Sequence, residues 1–263
     1  MTAAAPAPLS DIRLVKIAIA GAAGRMGRAI ADAASADPEF SIVCAFDATA
    51  AGESVGKVKI VSDPAAVAQA DVVVDFTRPE GTLALLKHAK AMVIGTTGFT
   101  AEDKGRIADA AKRIPIVLAA NFAVGVNTVY KLAETAARIL GESYDVEIIE
   151  AHHHHKVDAP SGTALQLGQV VAQALGRDLE KNAVFGRKGD VGARKPKEIG
   201  FHAIRGGDIV GEHTVIFAGT GERIEVTVRS QSRATYANGA LRAAKFLRGK
   251  SPRLYSMADV LGL

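Results

Sequence analysis

The sequence predicts an α/β chain in two parts. An N-terminal parallel sheet with intervening helices is followed by a C-terminal α+β part containing a mixed or antiparallel sheet. Three observations carry this. Apolar runs of strand length recur through the first half, each ending in a small, polar loop. Beyond Lys181 that rhythm gives way to alternating runs separated by glycine-rich turns. Between the two lies EAHHHHKVDAPSGTA, from Glu150 to Ala164, where the polar chemistry is concentrated.

With 263 residues and 48% hydrophobic side chains, the chain can bury a real core and divide into two domains. Its formal net charge of +4 is modest, and no long basic block occurs, which argues against nucleic acid as a partner. No apolar run reaches about 18 residues, so no membrane span is expected. Cys44 is the single cysteine, which excludes an internal disulfide and suits a reducing cytoplasm. Met1 to Ser10 (MTAAAPAPLS) lacks both a charged n-region and an apolar h-region. It is expected as a disordered tail, extending over 1–14, and not as a signal.

Val15 to Ala20 (VKIAIA) is a short apolar run of strand character. GAAGRMG, Gly21 to Gly27, follows at once and leads into a helix to about Ser35. Strand, glycine-rich turn and helix form the setting in which such a motif binds a dinucleotide. Gly21 allows the tight turn, Gly24 a close approach of backbone to pyrophosphate, and Gly27 the packing of helix on strand. Ala23 stands at the motif's middle glycine, so the motif alone leaves an ordinary βα turn open. Ser41 to Phe46 is a second strand, and it delivers Asp47, an acid able to bind ribose hydroxyls. With Ala48 after it, Asp47 favours NADH over NADPH, while Arg25, Lys57 and Lys59 work in the other direction. Asp71 to Phe76, Ala91 to Ile94 and Ile116 to Leu118 are further strands. They run into loops expected at TRPEGT, GTTGF (Gly95 to Phe99) and AANFAVGVN (Ala119 to Asn127), as a parallel sheet with its ligand at that edge requires.

In the second half, Asp145 to Ala151 places Val146 and Ile148 on one face and reads as a strand. Ala164, Leu167, Val171 and Ala174 fall at helical spacing, with Gly176 as the stop. Lys181 to Lys197 is polar and basic and reads as a mobile loop. Ile199 to Ile204, Asp208 to Ala218 and Glu222 to Ser230, separated by RGGD and GTGE, read as an antiparallel meander. Three strands cannot bury an apolar face alone, so the meander is a candidate subunit interface. Thr235 to Arg248 is a helix, and SMADVLGL a last helical turn.

The histidine stretch therefore sits on a loop between a strand and a helix. Ser161 is the expected N-cap, with the Gly162 and Thr163 amides facing whatever the loop encloses, an arrangement that favours a carboxylate or phosphate. Lys156 adds a positive charge, and histidines carry protons near neutral pH. The combination suits a small acid that must be protonated. A metal site is the rival reading. Adjacent side chains on an extended loop alternate in direction, so at most two of the four histidines converge on one ion, and no second ligand cluster is evident. Arg233, where the chain leaves the meander, reaches a carboxylate, closes the domains, or is a surface arginine. An amino-acid dehydrogenase would share the first half but has no use for the DAPSGT loop. A nucleotide sensor would bind NAD(P)H without turnover, and a metal hydrolase would lose activity on chelation.

Taken together, GAAGRMG, DFTRPEGT, VIGTTGF, AANFAVGVN, EAHHHHKVDAPSGTA and QSRATYANGA resemble the dihydrodipicolinate (4-hydroxy-tetrahydrodipicolinate) reductase family of lysine and diaminopimelate biosynthesis, over Lys16 to Leu263. The resemblance implies a Rossmann-type domain over 15–123 with 234–263, and a substrate-binding and oligomerisation domain over 124–233. It also implies a cytoplasmic homotetramer. The reaction it implies is reduction of a small cyclic dicarboxylate by NADH or NADPH with loss of water. Carried onto this chain, His152 matches the family's proton donor or acceptor and Lys156 its second proton donor. His153, Gly162 and Thr163 match substrate positions. Gly21, Ala22, Ala23, Gly24, Arg25, Met26, Asp47, Gly95, Thr96, Thr97, Ala119, Ala120, Asn121 and Phe122 match cofactor positions. His154 matches no functional position.

Overall fold

The computed structural model describes residues 14–263; the tail expected at the N-terminus lies, but for Leu14, outside the described residues. In chain order the first elements are β1 (Val15–Ala20), α1 (Arg25–Ala36), β2 (Phe40–Phe46), β3 (Ser54–Val55), β4 (Val58–Val61), β5 (Val72–Asp75), α2 (Pro79–Leu85), β6 (Met92–Ile94), α3 (Ala101–Ala111) and β7 (Ile116–Leu118). There follow α4 (Val124–Leu140), β8 (Asp145–His152), α5 (Gly162–Ala174), α6 (Leu179–Asn182), β9 (Ala183–Phe185), β10 (Ile199–Arg205), β11 (Gly211–Ala218) and β12 (Arg223–Ser230). The chain ends with α7 (Ala234–Phe246), β13 (Leu254–Tyr255) and α8 (Met257–Leu261). Two compact units result, one running to Ala120 and resuming at Ala237–Gly262, the other spanning Asn121–Tyr236. No helix among the described residues is long and apolar enough to cross a membrane.

The first unit holds an eight-stranded sheet in the order β13-β7-β6-β5-β1-β2-β4-β3. Every neighbouring pair is parallel except the β3–β4 hairpin. Strands covered on both faces carry near-continuous apolar runs, and VKIAIA and VVVD are accordingly buried at nearly every position. Helix α1 lays Ile30, Ala31 and Ala34 inward. Helix α3 starts at a capping box in which Thr100 and Asp103 exchange hydrogen bonds. From β1 the chain winds first toward β4 and then back through β5 toward β13, so the order reverses between β1 and β5.

Two expected loops are shorter than the sequence suggested. TRPEGT turns into α2 at Pro79, because proline at the first helical position has its φ preset and loses no hydrogen bond there. AANFAVGVN becomes α4 at Val124, and the Asn127 amide bonds the Ala123 carbonyl at that helix start.

The second unit holds a five-stranded mixed sheet in the order β12-β11-β8-β10-β9. Val146, Ile148, Ile199, Phe201, Val215 and Phe217 pack in one core with Val129, Ala133 and Ala137 of α4 and Ala164, Leu167 and Val171 of α5. The α/β class with a mixed second sheet is as the sequence predicts; the antiparallel meander is not. Only β11 and β12 form a hairpin. Strand β8 lies between β10 and β11, parallel to the first and antiparallel to the second. The central place pairs its backbone groups on both edges, while its alternating apolar residues face the helices. The RGGD turn is thus a bridge over the end of β8, where Gly206 N–H bonds the His152 carbonyl (3.0 Å) and His154 N–H the Gly207 carbonyl (3.2 Å).

The polar run 181–197, expected as a mobile loop, carries a strand and two anchors. β9 pairs with β10, and Arg187 and Arg194 converge on Glu147, which also meets His202 Nε2 at 2.8 Å. Burial works to raise the Glu147 carboxyl, but Arg187, Arg194 and His202 outweigh it and bring it down to about 2. Opposite charge on a half-buried carboxylate is a long-range restraint that composition alone does not announce.

Candidate active site

In the first unit, the point where strand order reverses opens into a cleft of about 660 Å³, lined among others by Gly21, Ala23, Gly24, Asp47, Phe76 and Arg78. Ligands of open α/β sheets bind outside the carboxyl ends of the strands at such a reversal. The glycines are there for geometric reasons. Gly21 has φ +78°, and a Cβ on it would meet the Phe76 carbonyl oxygen at 2.7 Å. A Cβ on Gly27 would lie 2.2 Å from the Gly21 carbonyl oxygen, so α1 approaches the turn as only glycine permits.

Asp47 closes the turn from the next strand. Its Oδ2 accepts the Ala23 N–H (3.2 Å), and its Oδ1 accepts from Thr49 N–H and hydroxyl (3.1 Å each). The basic residue in the cleft lining is Arg78; Arg25, Lys57 and Lys59 do not line it. Ala22 is buried, and Arg25 and Met26 begin α1. Gly95, Thr96 and Thr97 follow β6, and Ala119 and Ala120 follow β7, all at the same sheet edge. Beneath them Asp75 is fully buried and accepts from the hydroxyls of Thr77 (2.6 Å), Thr82 (2.5 Å) and Thr96 (3.3 Å). Burial pushes its carboxyl up despite those hydroxyls.

The second unit gathers charged and polar groups at the end of β8. Glu150 and His152 are two residues apart and so share the buried face. Glu150, 1% exposed, has its Oε2 2.5 Å from His152 Nδ1. Arg205 reaches the same carboxylate with both terminal nitrogens (2.8 and 2.7 Å), and Ser161 N–H adds a further bond at 3.1 Å. Burial alone would raise the Glu150 carboxyl; Arg205, His152 and the Ser161 amide hold it below the ordinary range. The Ser161 hydroxyl caps α5 by accepting the Ala164 N–H and lies 3.0 Å from His213 Nε2. The rings of His152 and His213 meet edge to face, 5.1 Å apart.

Burial lowers both imidazoles. His213 falls to about 4, with His152 and Lys156 adding repulsion. For His152, Glu150 opposes the fall, and Lys156 and Arg205 deepen it. Both rings are therefore neutral at pH 7 in the ligand-free protein.

The remaining predicted positions surround this cluster or lie apart from it. Lys156 turns back to Asp158, Nζ to Oδ1 2.8 Å. His153 is half-buried with its Nδ1 unpartnered among the described residues. His154 points elsewhere, its Nδ1 2.9 Å from the Gly207 carbonyl and its ring against His155 at 3.8 Å. Gly162 and Thr163 form the open first turn of α5. The Thr163 hydroxyl accepts from Asn121 Nδ2 (3.3 Å) and bonds Tyr130, whose phenol burial pushes up to about 12. Asn121 also caps the Ala123 N–H at 2.8 Å, and Phe122 is buried. Arg233 is exposed in the turn before α7, in no salt bridge among the described residues. No group of three or more His, Cys, Asp or Glu able to hold a metal occurs among the described residues.

Glu150, Arg205 and His213 carry no role in the sequence reading, and Ser161 only that of helix cap. Glu150 had a detectable signal, an acid in phase with the buried Val146 and Ile148. Arg205 and His213 had none, since both come from distant strands.

The family model for the dihydrodipicolinate reductase N-terminus matches residues 15–122, and that for the C-terminus matches residues 125–261. The chain belongs to the dihydrodipicolinate reductase family. A 4-hydroxy-tetrahydrodipicolinate reductase of Aromatoleum aromaticum is 58% identical, covering 95% of this chain and 96% of the relative. One of Burkholderia ambifaria is 56% identical, covering 95% of this chain and all of the relative (100%). Among solved structures, a dipicolinate-bound dihydrodipicolinate reductase from Paenisporosarcina sp. TG-14 shares the fold, with a TM-score of 0.77 and 24% identity over 94% of this chain and 98% of that one. As a member of the dihydrodipicolinate reductase family, the chain is a nicotinamide-dependent oxidoreductase. It reduces 4-hydroxy-tetrahydrodipicolinate to tetrahydrodipicolinate with loss of water, in lysine and diaminopimelate biosynthesis.

Proposed function

We propose that His152 is the proton donor of this reduction and Lys156 the second, with the substrate carboxylates held at the open first turn of α5. One observation carries the reading: His152, Lys156 and the Gly162 and Thr163 amides are delivered by a single strand–loop–helix segment, with Glu150 already bonded to His152 Nδ1. A dianionic substrate needs fixed donors, and helix N-terminal amides with a lysine supply them at little reorganisation. Its negative charge also raises the low pKa of His152, so the imidazole takes up a proton as the substrate binds and returns it during reduction. Asp158 holds the Lys156 ammonium until a carboxylate competes for it. His153 and Arg233 complete the carboxylate contacts.

The first unit serves as the dinucleotide-binding domain. The backbone of Gly21, Ala22, Ala23 and Gly24, with that of Arg25 and Met26 at the start of α1, cradles the pyrophosphate, Asp47 takes the ribose diol, and Gly95 to Thr97 with Ala119 to Phe122 border the nicotinamide. When bound, the nicotinamide supplies the hydride. The positive-φ turn at Gly21 and the close approach at Gly27 fit such a group. NADH is the preferred cofactor and NADPH is also used. Asp47 repels a 2′-phosphate, and Arg78 in the same cleft offsets part of that. A kcat/KM for NADPH roughly tenfold or more above that for NADH would show that Arg78 outweighs Asp47. The chain acts as a cytoplasmic homotetramer, joined through the open face of the second sheet.

The test is a coupled assay in which the unstable substrate is generated in situ and nicotinamide absorbance is followed. His152→Ala and Lys156→Ala are each expected to lower kcat by about 10²–10⁴-fold with the Kd of NADH unchanged. His154→Ala, which removes a loop contact alone, should keep its turnover. Wild-type turnover in either of the first two variants removes that residue from the mechanism.

A further inference from the structure

We propose that Glu150 is a positioning residue, whose carboxylate keeps a proton on His152 Nδ1 and so presents Nε2 as the nitrogen that exchanges protons with substrate. This rests on the reading of His152 as the acid. The geometry leaves two arrangements for the 2.5 Å contact between Glu150 Oε2 and His152 Nδ1. In one, an ionised Glu150 accepts the Nδ1–H, and Nε2 carries a lone pair able to take and release a proton. In the other, Glu150 is protonated and donates to Nδ1, and a neutral His152 bears its hydrogen on Nε2 with no basic site left to cycle.

The surroundings of Glu150 select the first. A buried carboxylate stays ionised when paired and fully hydrogen-bonded. Arg205 is bidentate on it, and the Ser161 N–H donates to the oxygen that Arg205 Nη2 also reaches. The Arg205 side chain is fixed in turn by the Asp158 carbonyl at 2.6 Å. Space at Nε2 agrees with this. Gly211 begins β11, and a Cβ there would stand 3.1 Å from His152 Nε2, so glycine keeps this flank of the nitrogen clear. The charged and titratable groups facing His152 are Glu150 from its own strand, Arg205 from β10, His213 from β11, and Lys156 with Asp158 from the loop. Glu150 is the anion among them in direct contact. The cations and burial all work against protonation, so Glu150 also sets how readily His152 becomes an imidazolium.

The test begins with the wild-type protein and needs no turnover. In ¹⁵N-histidine NMR of the ligand-free enzyme, with His152 assigned by its loss in His152→Asn, the neutral ring is expected to carry hydrogen on Nδ1 and a bare Nε2. The opposite tautomer overturns the proposal. Glu150→Gln removes the charge while keeping a group of the same shape. It should lower kcat about 10²-fold, the low end of what a positioned general acid contributes, leave the Kd of NADH unchanged, and shift the kcat limb set by His152 to lower pH. An unaltered pH profile with unaltered kcat also overturns the proposal. Should Glu150→Gln fail to fold, the wild-type tautomer still decides. Should His152→Ala retain full activity, the acid assignment falls, and the tautomer reports separately whether Glu150 governs that ring.

Discussion

Replacing His213 should flatten the acid limb of the protein's stability curve by an amount the structure sets. His213 is 4% exposed and pinned between Ser161 and His152. Burial, with repulsion from His152, brings its pKa from 6.5 to about 4. Its folded pKa lies below the unfolded one, so between those values the unfolded chain binds more protons, and stability falls as pH falls. The contribution is intact above pH 6.5 and is lost progressively toward pH 4. At about 1.4 kcal/mol per pKa unit, a drop from pH 7.5 to 4.5 removes about 2.5 kcal/mol through this one ring. Carboxylates such as Glu147 also lose stability in acid, so the measurement is a difference. Urea unfolding of wild type and His213→Gln is compared at matched protein concentration at both pH values. Glutamine keeps a partner for the Ser161 hydroxyl and does not titrate. Wild type should lose about 2.5 kcal/mol more than the variant over that range. Parallel losses in the two proteins would refute the reasoning, because they would mean His213 is protonated without penalty in the folded state.

Gly27→Ala forces a Cβ to within 2.2 Å of the Gly21 carbonyl oxygen, so the turn must move. The Kd for NADH, read by nicotinamide fluorescence, should rise about tenfold or more, and an unchanged Kd would show that the turn does not hold the cofactor. For the subunit contact, Ile216 lies on the face of β11 opposite Val215 and Phe217. Ile216→Glu should shift light scattering from the proposed tetramer to smaller species at micromolar concentration, and an assembly of unaltered size would place the contact elsewhere.

What the sequence made legible is what is decided locally. VKIAIA followed by GAAGRMG declares a buried strand and a positive-φ turn within thirteen residues of chain, and each appears where its own side chains require it. Ser161 as the cap of α5 was readable for the same reason. Strand order was not readable, because it is a choice among partners far apart in sequence. Three alternating runs joined by RGGD and GTGE look like neighbours, and only the second pair are. The first pair are parted by β8, whose apolar face seats against α5 and whose two edges both need partners.

That insertion is also what makes the site. In the β8–β11 ladder His213 stands directly opposite Glu150, and in the β8–β10 ladder Arg205 stands opposite His152, on the face that Glu150 and His152 share. Had β10 and β11 paired with each other, Glu150 would have kept at most one flanking strand and lost either its cation or its imidazole neighbour. A buried carboxylate without Arg205 would take up a proton, and His152 would then face the wrong tautomer. The histidine motif supplies the proposed acid, and the strand order around it gives that residue its carboxylate and its cation.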